Sequence, residues 1–252
     1  MESAERCPHR STALRLEADA NLLIDIDGQF ESGAGLLSLT RAFDALTGAP
    51  KVIKLSTDPE REMAAFAALR LRADEAVALH IVPLEMVTDT NAPHPRDPPR
   101  RLLVMPSYHC SLASMPRAPP ALVLRGVRQI RRALQHFHAH RVFHMDVKPD
   151  NVLIDGEGGW HLADFDSCVI DSAPRTHLKL TANFIPRGLA RTPSAAFDHA
   201  LLAVTAIFML DRDALNLRDR FSLDDMRSFV DNLEHAELKE LITELLPPDS
   251  DT

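Results

Sequence analysis

The chain has 252 residues, 45% of them hydrophobic and 25% charged, with a formal net charge of −8 at pH 7. That is enough apolar material for one large domain or two lobes, and too much for a disordered segment. The acidic balance excludes a general nucleic-acid binder, which needs a broad cationic surface to neutralise phosphates.

In chain order, alternation over residues 21–30 predicts a strand. Gly33 and Gly35 break it, and a further extended stretch ends at the turn signal Thr47-Gly48. KVIKL at 51–55 predicts the next strand. Thr57-Asp58-Pro59-Glu60 offers a capping side chain, a proline for the first turn and a carboxylate near the positive end of the dipole. A helix is expected to start there and to run through Ala76. Residues 80–88 and 101–105 predict two more strands, separated by a loop over 91–100 with four prolines. From Ala121 the period becomes helical, with Leu124, Val127, Ile130 and Leu134 on one face, and the remainder reads as mainly α.

Residues 144–151 read HMDVKPDN, and DFD follows at 164–166. Phosphoryl transfer needs a carboxylate to orient the attacking hydroxyl and an ammonium near the transferred phosphate. It also needs an amide and a second carboxylate to hold Mg²⁺ against the triphosphate. Asp146, Lys148, Asn151 and Asp164 offer these groups in the order that protein kinase catalytic loops use. A lone Asp or Lys in a loop is usually a solvated charge, but four chemically matched groups at fixed offsets are not.

On these residues the stretch 15–210 resembles a eukaryotic-type protein kinase domain of the serine/threonine branch, to which Lys148-Pro149 belongs. The resemblance implies an α+β bilobal fold over 1–252. It has a β-rich N-lobe with one main helix at 15–105, a hinge at 106–108 and a mainly helical C-lobe at 109–252. It also implies ATP and Mg²⁺ as cofactors, Asp146 as catalytic base, Lys148 on the γ-phosphate, and Asn151 and Asp164 on the metal. Lys54 of KVIK would pair the α/β-phosphates, with Glu62 as its partner and Phe66 in the position that packs beneath that glutamate. Met105 would be the gatekeeper; Pro106 would accept from the adenine amino group and Tyr108 would donate to the ring. Thr181 would contact Asp146 and Lys148, and a buried Asp198 would tie down the loop backbone.

The departures matter as well. Gly33 and Gly35 remain of the phosphate-covering loop, but leucines stand at 36 and 37. Met145 replaces an arginine that reads activation-loop phosphate, so activation by that route is not expected. Asp166 replaces a glycine and is expected to adopt left-handed backbone there. Arg187 stands where the anchoring glutamate of the APE motif belongs. Arg175, Lys179, Arg187 and Arg191 form either a groove for acidic or phosphorylated substrates or, more commonly in such loops, a solvated basic surface. Only residues 211–252 follow Leu210, so abbreviated final helices are expected, leaving room for a regulatory partner protein. His136, His138, His140 and His144 resemble a metal cluster, but a helix end and a structural loop histidine account for them better.

Cys7, Cys110 and Cys168 are far apart and lack metal-ligand spacing, which points to a reducing cytoplasmic or nuclear compartment. The longest apolar run, 200–210, is too short to span a bilayer, so no membrane partner is expected. The expected activity is transfer of the γ-phosphoryl of ATP to a protein hydroxyl. The alternatives are a pseudokinase acting as a nucleotide-binding scaffold and a kinase of a small hydroxylated metabolite.

Overall fold

The computed structural model describes residues 11–15, 21–31, 38–89, 100–171, 180–215 and 221–248. Gly33, Gly35, Cys7, Arg175 and Lys179 lie outside them. The chain divides into two compact units, one of residues 1–63 and 83–107, the other of 64–82 and 108–252. The expected hinge at 106–108 brackets one crossing. Residues 64–82, assigned from the sequence to the N-lobe, group with the larger unit.

The smaller unit is built on an antiparallel sheet of β1 (Ser11–Arg15), β2 (Asn21–Glu31), β3 (Ser38–Asp44), β4 (Pro50–Lys54), β5 (Glu85–Asp89) and β6 (Arg100–Pro106). Its strand order is β1-β2-β3-β4-β6-β5. Leu22, Ala42, Ile53, Val87, Leu102 and Val104 form a buried cluster in it. Because side chains alternate along a strand, Ile53 in that cluster sends its neighbour Lys54 to the opposite face. There the register sets Lys54 between Leu39 of β3 and Leu103 of β6. Strand β5 starts later than expected. Residues 80–84 are not strand, and Ile81 instead makes an isolated bridge to Leu162 within the larger unit.

The helix expected to continue through Ala76 is two helices, α1 (Pro59–Ala68) and α2 (Ala73–Ala78). Its start is as anticipated, with Pro59 in the first turn and Asp58 Oδ1 accepting from the Arg61 N–H at 3.1 Å. The break comes from tertiary structure, because the intervening residues are good helix formers. Leu69 is fully buried, Arg70 turns into left-handed backbone at φ 55°, and the Leu69 carbonyl freed by the break meets His136 Nε2 at 3.0 Å.

The larger unit is mainly helical, with α3 (Pro120–Ala139), α4 (Ala195–Leu210), α5 (Leu223–Asp231) and α6 (Ala236–Leu245). Leu124, Val127, Ile130 and Leu134 of α3 are all buried, as their spacing requires. Short strands β7 (Cys110–Ser111), β9 (Val152–Ile154) and β10 (Trp160–Leu162) form one small sheet, and β8 (Val142–Phe143) pairs with β11 (Val169–Ile170). Gly126 of α3 lies so close to the Trp160 ring that any side chain there would overlap it. No helix among the described residues is long and apolar enough to cross a membrane.

Candidate active site

In the larger unit, residues 144–151 leave β8, turn through a short 3-10 segment at Pro149–Asn151 and enter β9. Three contacts to one carboxylate organise this turn. Asp198, fully buried near the start of α4, accepts from the Met145 N–H through Oδ1 at 2.8 Å and from the His144 N–H through Oδ2 at 2.9 Å. His138 Nε2 of α3 lies 2.9 Å from the same Oδ2. These bonds hold Met145 in left-handed backbone at φ 67°, a conformation that costs an L-residue about 1–2 kcal/mol. Met145, which replaces the arginine of the resemblance, is fully buried.

The held turn presents Asp146, which is itself largely buried. Its Oδ2 accepts from Lys148 Nζ at 2.7 Å and from Asn151 Nδ2 at 3.1 Å, and its Oδ1 from the Thr181 N–H at 3.2 Å. Lys148 Nζ also donates to Thr181 Oγ1 at 2.7 Å, so Thr181 touches both residues. Asn151 Nδ2 bonds the Asp146 carbonyl too, at 2.8 Å. Both Asp146 acceptors require the nitrogen of that amide, which leaves Asn151 Oδ1 as its remaining acceptor.

Asp164 is brought to Asn151 through its neighbour. The Ala163 N–H donates to the Asn151 carbonyl at 2.9 Å, and the Ala163 carbonyl meets His144 Nε2 at 3.0 Å. On the other side Phe165 is buried, stacked on Phe137 at 5.9 Å between ring centroids and edge-on to Phe66 at 5.6 Å. Clamped on both sides, Asp164 takes φ 68°. Left-handed backbone therefore sits at Asp164 and Met145; Asp166, where it was expected, does not adopt it. The glycine-to-aspartate change is accommodated without strain at that position. Amide and carboxylate oxygens are hard ligands that suit Mg²⁺, so the donor set of Asn151 and Asp164 fits that ion.

In the smaller unit, Lys54 Nζ meets Glu62 Oε2 at 2.7 Å, with the two residues 4% and 1% exposed. Ser56 Oγ donates to the other carboxylate oxygen at 2.5 Å. No spacing in the sequence singled out Ser56. Glu60, read as a capping group, faces Arg101 at 3.4 Å on the surface.

Met105 and Pro106 are half-buried at the end of β6, paired with Val52 and Lys51. The Tyr108 N–H has no hydrogen-bond partner among the described residues, so that donor is available. The Tyr108 ring lies 5.1 Å from that of His161, and burial, reinforced by Asp155, pushes its phenol up to about 12. Asp155 clamps the β9–β10 turn, accepting from the Gly159 and Glu157 N–H groups and lying 2.8 Å from His161 Nε2. Burial alone would raise its carboxyl, but these bonds outweigh it and hold the group low. Arg187 is exposed, and its N–H donates to the Phe221 carbonyl at 2.8 Å, so backbone pairing anchors the segment where the glutamate is missing. His136 and His140 are engaged by the Leu69 and His136 carbonyls.

The family model described as protein kinase domain matches residues 101–196, the stretch that contains the turn, DFD and Thr181. CBL-interacting protein kinase 4 of Oryza sativa subsp. japonica is 45% identical over 56 residues, covering 21% of this chain and 12% of that protein. The probable serine/threonine-protein kinase DDB_G0286841 of Dictyostelium discoideum is 45% identical over 47 residues, 19% of this chain and 10% of its own length. A crystal structure of a rhoptry kinase from Toxoplasma gondii has a TM-score of 0.67 at 17% identity, covering 95% of this chain and 77% of that one. The chain contains a eukaryotic-type protein kinase domain. Its fold is the bilobal α+β kinase fold, also matched by the ROP18 kinase domain in complex with AMP-PNP and sucrose, at a TM-score of 0.61 and 17% identity over 94% of this chain and 85% of that one. The kinase domain's matches to curated relatives span only about a tenth of those proteins' lengths.

Proposed function

We propose that this kinase domain transfers the γ-phosphoryl of ATP to a serine or threonine hydroxyl of a protein. The observation that carries the reading is the bonding at Asp146. Its carboxylate stands on a turn fixed by buried Asp198 and is oriented by Lys148 and Asn151 of that turn and by the Thr181 N–H. In the transfer, the substrate oxygen forms a bond to Pγ as the bond from Pγ to the β,γ-bridging oxygen breaks. The hydroxyl proton passes to Asp146, and Lys148 offsets charge on the transferred group. Asn151 Oδ1 and the Asp164 carboxylate would hold Mg²⁺, which when bound neutralises charge on the triphosphate. Lys54, paired with Glu62, would engage the α/β-phosphates, and Met105, Pro106 and Tyr108 the adenine.

The experiment presents labelled ATP and Mg²⁺ with a serine/threonine peptide library and, separately, with small hydroxylated metabolites, using wild type and Asp164→Asn. Peptide labelling by wild type, lost in the variant, supports the proposal. Labelling of metabolites alone would transfer the reading to a small-molecule kinase. Nucleotide binding without transfer in the wild type would make the domain a scaffold.

A further inference from the structure

We propose that the larger unit carries a binding site for a phosphate monoester, separate from the catalytic turn, in a cavity of about 330 Å³ beside α3. Arg125, Arg128 and Arg132 of α3 line it together with His80 and Leu124. Their spacing of three and then four residues sets the three guanidiniums in a row along one face of the helix.

Two of the three are held in place by a single partner each. Arg125 Nη2 donates to the Gly158 carbonyl at 2.7 Å, and Arg128 pairs with Glu237. Gly158 sits at φ 77°, and a Cβ there would approach Arg125 Nη2 to 3.0 Å, so glycine keeps this contact open. Arg132 makes no hydrogen bond or ion pair among the described residues. A guanidinium carries five N–H donors, so most of the donor capacity around the cavity is uncommitted. Among the described residues Glu237 is the one carboxylate that pairs with any of the three arginines, in a chain whose net charge is −8.

His80 stands at the inner wall, where burial, then His161 and Arg132, lower its pKa. A carboxylate would be satisfied by one guanidinium fork, whereas a phosphate dianion offers three oxygens to several. Leu124 gives the cavity an apolar wall, and its volume is well above that of a bare phosphate group, so the fitting ligand is an organic phosphate ester.

The full chain carries its own reporter. Trp160 is its single tryptophan, and the Trp160 backbone N–H donates to Oε1 of Gln129, which also lines the cavity, at 3.0 Å. Inorganic phosphate, O-phospho-L-serine and a phosphoserine peptide are titrated against the unphosphorylated controls by Trp160 fluorescence and calorimetry. Saturable binding of the phosphorylated probes is expected, weakened at least about tenfold by Arg132→Ala or Arg125→Ala and unchanged by Lys148→Ala. Tighter binding of the peptide than of free phosphoserine would identify a protein-linked ester as the source, and equal binding a free one; both support the site. Absence of saturable binding, or binding intact in Arg132→Ala and lost in Lys148→Ala, overturns it.

Discussion

Replacing Asp198 with alanine removes the acceptor for two backbone N–H groups, those of His144 and Met145, in residues that are fully buried. A buried donor stripped of its partner costs about 1–3 kcal/mol, so the pair should cost about 2–6 kcal/mol. Against a typical domain stability of about 5–15 kcal/mol, that is a large fraction. The left-handed backbone at Met145 also loses the bond that offsets its strain, so the turn should relax even where the fold survives. Asp198→Asn keeps one acceptor oxygen but sets an amide against the other N–H, and should fall between wild type and alanine. Urea unfolding followed by circular dichroism measures the loss, with the midpoint lowered and the slope unchanged. A shift within about 0.5 kcal/mol of wild type, the size of an ordinary surface substitution, would refute the reasoning that Asp198 carries the turn.

Removing one partner of the buried Lys54–Glu62 pair, by Lys54→Met or Glu62→Leu, should cost about 3–5 kcal/mol, whereas the double variant should recover much of that; a double-mutant cycle reads the coupling. Tyr108 is the only tyrosine, so tyrosinate absorbance should titrate near 12 in the folded protein, well above the ordinary 10.0. Because the folded pKa is raised, this phenol's contribution to stability is complete below pH 10 and is lost as pH rises toward 12; Asp155→Asn should move the titration downward. Gly126→Ala should overlap the Trp160 ring and destabilise by about 1–3 kcal/mol, visible as a lower thermal midpoint and altered tryptophan emission.

Much of the larger unit could be read from residue spacing because its signals are local. The turn at 144–151 and the DFD residues lie within one short stretch, and α3 declares itself by the period of Leu124, Val127, Ile130 and Leu134. Asp198 was legible through the family resemblance, although the contribution of His138 depends on how α3 packs on α4. Other features depend on distant contacts. The break between α1 and α2 interrupts residues of good helix propensity, and it exists because Leu69 is buried and its carbonyl finds His136. A strand over 80–84 has the right apolar content, but the Val82 N–H donates to the Leu162 carbonyl and the Leu162 N–H to the His80 carbonyl, an isolated bridge at Ile81 that extends no sheet. The left-handed residue in DFD is Asp164, not Asp166, because the clamps on Ala163 and Phe165 act on the residue between them. Ser56 on Glu62 and Asp155 on His161 have no spacing signature at all.

The most direct measurement of the proposed chemistry is the rate of phosphoryl transfer from labelled ATP by Asp146→Asn, with its unfolding midpoint checked against wild type. An asparagine keeps the shape at 146 but cannot take the hydroxyl proton, so a loss of about 10²-fold or more is predicted in a folded variant. Transfer at the wild-type rate would contradict the assignment of Asp146 and the mechanism built on it.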